Sequence, residues 1–181
     1  MNKSKFVFGC LVFVLSLSSC SHSLSPFTSG VLYEGNWSDD ALKKIQFYNS
    51  ADIVIQRDYV QGQSEIVSGA IKMVNGRQIE EVRIPSGTPG AFISRGKGNS
   101  FAIGFDANSN TRYLMFGPNP KRQGAYVLLA SEWKGARGKV TYDNKPYWTN
   151  GVSDLSELLV DLSKFSHIKV ETKTEQGRKV N

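Results

Sequence analysis

The sequence predicts an all-β domain, mainly antiparallel, that folds as a single β-sandwich or small barrel with at most one or two short helices. Short apolar runs rich in β-branched and aromatic residues recur along the chain, and turn signals separate them about every 8–12 residues. Asn75-Gly76 divides two such runs. This pair is a strong hairpin signal, because both central positions of a type I′ turn need a positive φ. No internal repeat or interior linker interrupts the pattern, so we expect one domain.

The first elements of the domain are predicted between residues 38 and 55. Ser38-Asp39-Asp40 indicates a helix start, since a serine oxygen caps free backbone amides and acidic side chains suit the first turn. One or two helical turns then lead to a strand over residues 45–48, where apolar and polar side chains alternate. The apolar residues 53–55 indicate a buried strand.

A hairpin is predicted around Asn75-Gly76. Its first strand covers residues 65–74, and its second strand begins at Ile79. The spacing from Ile79 to Val82 breaks strict alternation, and a β-bulge would account for the extra residue. The Pro- and Gly-rich segment 85–90 is expected to be a turn or loop.

The second half of the chain continues with shorter strands, which brings the expected number to about nine or ten. Phe101, Ile103 and Phe105 alternate strictly, as in a half-buried strand. Asp143-Asn144 is a turn within a second hairpin, and Gly117-Pro118-Asn119-Pro120 is expected to end the strand that precedes it. The other strands are predicted at residues 91–94, 113–116, 126–130, 139–142 and 145–149.

Residues 155–165 fit two alternatives. Five apolar side chains have helical spacing, and Ser153 is placed as their N-cap. These five are Leu155, Leu158, Leu159, Leu162 and Phe165. Leu158, Val160 and Leu162 also alternate as in a strand. The strand is slightly favoured, because a second alternating run at Ile168, Val170 and Thr172 could pair with it.

The first twenty residues have the organisation of a secretory leader. Lys3 and Lys5 form a short positive region, and residues 6–17 are almost wholly apolar and uncharged. This run is too short to cross a hydrocarbon core of roughly 30 Å as a helix. Two serines and Cys20 follow it.

The stretch Leu17-Ser18-Ser19-Cys20 resembles the lipobox of bacterial lipoproteins. The resemblance covers the leader alone and implies cleavage before Cys20, acylation of its thiol and new amine, and attachment to the lipid bilayer through this residue. The positions of the two cysteines agree with this resemblance. Cys10 would be removed with the leader, so Cys20 would be the one cysteine of the mature chain. Ser21 stands where an Asp would imply retention in the inner membrane, so the resemblance implies the outer membrane. The alternative is an ordinary secretory leader with an incidental cysteine.

The leader divides the chain into three expected parts. Residues 1–19 are the signal peptide, residues 20–30 a flexible tether, and residues 31–181 a single β-rich extracytoplasmic domain. Removal of the leader lowers the formal net charge from +6 to +4. The basic residues are scattered rather than clustered, so a nucleic-acid partner is not expected.

A calcium loop is suggested only in part by the sequence. Asp106, Asn108 and Asn110 have the opening spacing of such a loop. Thr111 and Gly117, however, occupy positions that require glycine and a bidentate glutamate. A polar hairpin loop is the better interpretation, and no metal is expected.

Catalytic and cofactor motifs are incomplete. The glycine-rich segments 87–90 and 96–98 lack P-loop spacing and open no helix. His22 and His167 are the two histidines of the chain, and no nucleophile elbow accompanies them. We therefore expect neither a cofactor nor an enzyme.

Four aromatic residues in the last third of the domain are the candidate ligand-binding residues. They are Trp133, Tyr142, Tyr147 and Trp148. Basic side chains lie among them at Lys134, Arg137 and Lys145. Because Tyr147 and Trp148 are neighbours, a strand would direct one inward and the other outward. An exposed aromatic ring with nearby cations suits a sugar ring or a peptide, and core packing is the alternative.

These features favour a non-catalytic, lipid-anchored module of the cell envelope that works by contact with an envelope protein or polysaccharide. One alternative is a hydrolase of envelope glycans that uses carboxylates from separate strands. Another is an accessory subunit of a secretion or assembly machine.

Overall fold

The predicted all-β class is confirmed by the computed structural model, which describes residues 23–60, 69–151, 153 and 156–165. Within this part of the chain, thirteen strands form two antiparallel sheets, accompanied by two short α-helices. The seven-stranded sheet A has the order β1-β13-β2-β6-β7-β8-β9, and the six-stranded sheet B has the order β10-β11-β12-β3-β5-β4.

The bounds of the strands and helices follow the chain in order. The strands are β1 (Leu24–Pro26), β2 (Gln46–Asn49), β3 (Ile53–Asp58), β4 (Ala70–Val74), β5 (Arg77–Ile84), β6 (Pro89–Arg95), β7 (Phe101–Gly104), β8 (Tyr113–Asn119), β9 (Ala125–Leu128), β10 (Glu132–Lys134), β11 (Arg137–Tyr142), β12 (Lys145–Thr149) and β13 (Leu158–Asp161). The α-helices are α1 (Ser29–Gly35) and α2 (Asp39–Leu42), and short 3-10 turns occupy Lys97–Asn99, Pro120–Arg122 and Leu162–Lys164.

The two outer strands of sheet A meet where the chain enters the domain. Single β-bridges join Thr28 to Ala125 and Glu157 to Val127. The backbone of Phe27 donates to the carbonyl of Leu158 at 2.8 Å and accepts from the amide of Tyr126 at 3.0 Å. These bonds pair backbone groups that an open sheet edge would leave exposed.

Phe27 also lies at the centre of an aromatic cluster inside sheet A. Its ring is fully buried, and its centroid lies 5.4 Å from that of Phe47, 5.6 Å from Phe101 and 5.0 Å from Tyr126. Burial of one such ring stabilises a fold by about 1.5–3 kcal/mol, before the additional gain from edge-to-face packing. The residue just after β1 is therefore part of the core.

This placement corrects the expected tether of residues 20–30 over residues 24–30, whereas residues 20–22 lie outside the described part of the chain. Leu24–Pro26 pairs with Asp161–Leu159 in β13, and Ser29 begins α1. The small and polar composition of the segment suggested a linker, but pairing with a strand from the far end of the chain gives it fixed structure. Strand structure in the described chain thus starts at Leu24, before residue 31.

The helix predicted at Ser38 is confirmed. The Ser38 hydroxyl accepts a hydrogen bond from the amide of Ala41 at 3.2 Å and caps α2. Helix α1 was not predicted. Thr28 caps its start, and Asn36 ends it in the left-handed region at φ 44°. Its single buried side chain, Leu32, gives no helical periodicity to recognise.

Both predicted hairpin turns are confirmed by their backbone angles. Asn75 and Gly76 have φ values of 50° and 76°, and Asp143 and Asn144 have values of 49° and 58°. A positive φ at both central positions is the requirement of a type I′ turn. Of the first predicted strand, residues 65–68 lie outside the described part of the chain.

Two strand predictions were wrong in detail. The pairing of β5 with β3 is continuous from Ile79 to Ile84, without the expected bulge. Glu80 takes the inward position, and Ile79 lies on the other face, where it is also buried. Strand β8 continues through Gly117 and Pro118 to Asn119. Strand β7 pairs only with the first four residues of β8. Beyond them, that side of β8 has no partner strand in the described chain, so Pro118, which lacks a backbone N–H, leaves no pairing of β7 with β8 unmade.

The ambiguous segment near the end of the domain contains a strand. Leu158–Asp161 forms β13, which pairs with both β1 and β2. The helical alternative is wrong over these residues, because pairing on both sides with buried inward positions stabilises the extended chain. Leu155 and the alternating run from Ile168 to Thr172 lie outside the described residues, as does the whole leader with Cys20.

A buried ion pair lies on the inner face of sheet B. Arg57 and Glu80 are register partners on β3 and β5. The Arg57 guanidinium approaches one Glu80 carboxylate oxygen at 2.6 Å and 2.7 Å, and the Glu80 side chain is fully buried. The amide of Gly69 donates to the other oxygen at 3.3 Å. The pair replaces apolar packing at this end of the core.

We predict that Glu80→Gln lowers the free energy of unfolding by about 3–5 kcal/mol, because the substitution removes the buried carboxylate that pairs with the Arg57 guanidinium. Urea denaturation of both proteins measures the difference. The neighbouring Glu81→Gln is the control. Glu81 pairs with Lys72 on the half-solvated outer face, so its loss is expected to cost less than about 1 kcal/mol. Equal losses at the two positions would contradict this interpretation.

Candidate functional site

Trp148 lies on the outer face of sheet B, and its position follows from strand alternation. In the sheet register, Trp148 on β12 faces Lys139 on one side and Gln56 on the other. Its neighbour Tyr147 points to the core and is fully buried. The predicted opposition of these two residues is confirmed.

Two cations lie close to the Trp148 ring. The Lys134 Nζ is 5.1 Å from the ring centroid, and the Arg137 Cζ is 5.8 Å from it. The two basic residues are register partners on β10 and β11, so pairing of the strands places them side by side. At an exposed site, each contact between a cation and an indole ring stabilises a fold by about 0.5–1 kcal/mol.

A groove of about 400 Å³ runs beside Trp148 across the outer face of sheet B. Its walls come from β3, β5, β12, the start of β11 and the Asn75-Gly76 hairpin. The lining residues are Gln56, Arg57, Asp58, Val74, Asn75, Arg77, Ile79, Arg137 and Trp148. We call this groove together with Lys134 the Trp148 face. It combines one aromatic ring and two apolar side chains with several exposed polar groups.

The other three candidate aromatic residues lie elsewhere. Tyr142 and Tyr147 are in the core, with ring centroids 6.0 Å apart. Trp133 is 45 % exposed and packs on Gly138, where an added Cβ would lie 2.8 Å from the indole. Trp133 borders a separate groove of about 460 Å³ that includes Leu129. The structure therefore divides the predicted set into two core residues and two surface residues on different grooves.

The Trp148 face is supported from below by the buried ion pair. Arg57 lines the groove and donates from Nε to the Tyr147 hydroxyl at 3.2 Å. Burial disfavours the Arg57 charge, but its hydrogen bonds to Glu80 and Tyr147 outweigh this effect and raise its pKa. The guanidinium thus stays charged and paired with Glu80 on the inner face of sheet B, below the groove. Sequence inspection missed it because the pairing of Arg57 with Glu80 depends on strand register.

Several carboxylates of the described chain are engaged with cations rather than with one another. Hydrogen bonds from the Ser86 amide and the Arg83 side chain lower the pKa of Asp52 and outweigh burial, which would raise it. At Glu81, hydrogen bonds from Lys72 and Gln56 lower the pKa in the same way. Arg112 donates to Asp106 at 2.8 Å and lowers its pKa in the same way. These groups are held ionised.

The Asp106 loop has the geometry of a polar turn. One carboxylate oxygen accepts from the amide of Asn108 at 2.8 Å, while the other pairs with Arg112. Among the residues that the structure describes, no group of three acidic, histidine or cysteine side chains is placed to hold a metal ion.

Comparisons with protein-family models, curated proteins and solved structures found no match for this chain. Over the described ranges, no helix has the length and apolar character needed to cross a bilayer.

Late titration of two tyrosines is expected from their surroundings. Burial raises the pKa of Tyr126 to about 12, and burial together with the Glu80 charge raises that of Tyr147 to about 12. Because both values exceed the usual value of about 10, their contribution to stability is complete below pH 10 and is lost as the pH rises towards 12. Ultraviolet absorbance of tyrosinate measures this step. Tyr126→Phe and Tyr147→Phe should each reduce the step near pH 12, and a step of unchanged size in either variant would refute the assignment.

Proposed function

We propose that this chain is an outer-membrane lipoprotein, anchored through Cys20, whose domain is a non-catalytic binding module for an envelope polymer. The anchor is supported by the sequence Leu17-Ser18-Ser19-Cys20 behind an apolar leader. The binding role is supported by the Trp148 face. The engaged carboxylates give no comparable support to a hydrolase.

The observation that carries the binding role is the Trp148 ring, with two cations over it, at the edge of an open groove. An indole face stacks on the apolar face of a sugar ring, while Lys134 and Arg137 attract carboxylate or phosphate groups on the same polymer. Arg77 also lines the groove, where it lies 3.9 Å from the Asp58 carboxylate. The ligand class that fits best is therefore a polysaccharide that carries anionic groups.

The sheet holds this site in a defined geometry. Lys134, Arg137 and Trp148 come from three adjacent strands, and Gln56 on the next strand is fixed by a 2.7 Å hydrogen bond to Glu81. The backbone positions of these side chains are thus set by the sheet before a ligand binds, which lowers the entropic cost of association.

Binding to polygalacturonate, a carboxylate-bearing polysaccharide, tests the proposed ligand class. Trp148→Ala and Arg137→Ala are each expected to weaken binding by about tenfold, equivalent to roughly 1.4 kcal/mol, as measured by calorimetry at low salt. Trp133→Ala is the matched control, because it removes an exposed tryptophan from the other groove. Affinity for uncharged dextran equal to that for polygalacturonate, or unchanged affinity in Trp148→Ala, would contradict the proposal.

Metabolic labelling with an alkyne fatty acid tests the anchor. We expect Cys20→Ala to abolish labelling and to accumulate the uncleaved precursor, because the acylated thiol is needed for cleavage at this site. Cys10→Ala removes the other cysteine and should leave labelling intact. Normal labelling of Cys20→Ala would end the lipoprotein assignment.

A further inference from the structure

The short connection between Cys20 and β1 restricts the position of the domain relative to the lipid. Leu24 is already paired with Asp161 in sheet A, so only three residues lie between it and the proposed anchor at Cys20. At about 3.3–3.6 Å per residue, the two Cα atoms are at most about 14 Å apart in any conformation. A tether that ended at residue 30 would have allowed roughly 35 Å.

The end of the domain next to Leu24 has a defined composition. Asp161 caps the 3-10 turn Leu162–Lys164, and the following Phe165 ring packs against Trp37 at a tilt of 45°, with ring centroids 5.1 Å apart. Trp37 leads from α1 into α2, and its carbonyl accepts from Arg95 at 2.5 Å. We call this surface the anchor-side end, defined by Leu24, α1, α2 and the turn from Leu162 to Phe165.

The anchor-side end exposes large apolar side chains. Leu162, which directly follows the partner of Leu24, is 41 % exposed, and Tyr33 on α1 is 70 % exposed. Lys43 and Lys164 flank them, with side chains more than half exposed. Lysine stems and tyrosine rings suit the boundary between water and acyl chains. Glu34, Asp39 and Asp40 at this end offset the charge of Lys43, Lys44 and Lys164, so attraction to anionic lipid is not the main force.

We infer that the anchor-side end is a membrane-contacting surface, with Leu162 and Tyr33 at the level of the lipid headgroups. The inference rests on the proposed acylation of Cys20. The acylated residue is fixed at the interface, and a connection of about 14 Å does not let a domain of this size turn this end away. The partner that this surface contacts is the lipid bilayer that holds the anchor.

Site-specific fluorescence in vesicles tests this orientation. The mature chain carries no thiol besides the acylated Cys20, so Leu162→Cys in the full-length lipidated protein accepts a single environment-sensitive dye. The protein is reconstituted into vesicles of phosphatidylethanolamine and phosphatidylglycerol with brominated acyl chains. Lys164→Cys is a second probe on the same turn, and Ala107→Cys is the control. Ala107 is exposed in the loop after β7. Arg95 pairs with the first residue of β7, so this loop lies at the other end of the strand, away from Arg95.

We expect bromolipid to quench the dye at Leu162→Cys and Lys164→Cys at least about twofold more than the dye at Ala107→Cys. A spacer of about ten Gly and Ser residues inserted after Ser21 should reduce this difference, since a flexible chain of that length lets the domain reorient. Equal quenching at the three positions, in protein that floats with the vesicles, would overturn the inference while leaving the anchor intact. Protein that fails to float would overturn the anchor itself, and the inference with it.

Discussion

The fold depends on the insertion of Phe27 between the two edges of sheet A. Its backbone bonds to β9 on one side and to β13 on the other, and its ring fills the centre of the aromatic cluster. One residue therefore closes the sheet and completes the core. The same contact fixes the point at which the chain enters the domain, which in turn sets the distance between the folded structure and the proposed lipid anchor.

Local signals predicted most of the sheet-forming segments. Asn75-Gly76 and Asp143-Asn144 satisfy turn geometry through their own backbone preferences. The alternation at Phe101 and Ile103 predicted a strand, but β7 is buried on both faces rather than on one. Sequence inspection failed where distant segments decide the outcome. Leu24–Pro26 is a strand because β13 provides its partner, and Glu80 is buried because Arg57 faces it across the sheet. Neither partner is visible in the local pattern.

In the candidate site, too, some features follow from the local sequence and others depend on strand register. Alternation alone predicted that Tyr147 and Trp148 face opposite ways, and the structure confirms it. Strand register was needed to place Lys134 and Arg137 against Trp148 and to separate Trp133 from them. Beneath this surface, on the inner face of sheet B, Arg57 is paired with the buried Glu80. The arrangement joins a rigid sheet to an aromatic and cationic surface, which is the physical basis for proposing polymer binding.

Mass spectrometry of the N-terminal peptide from the native protein tests the central claim most directly, because both the location and the orientation of the domain depend on lipid at one sulfur atom. The account predicts that the peptide begins at Cys20 and carries a diacylglyceryl group on the thiol together with an acyl group on the amine. A mature N-terminus at another residue, or an unmodified Cys20, would contradict it.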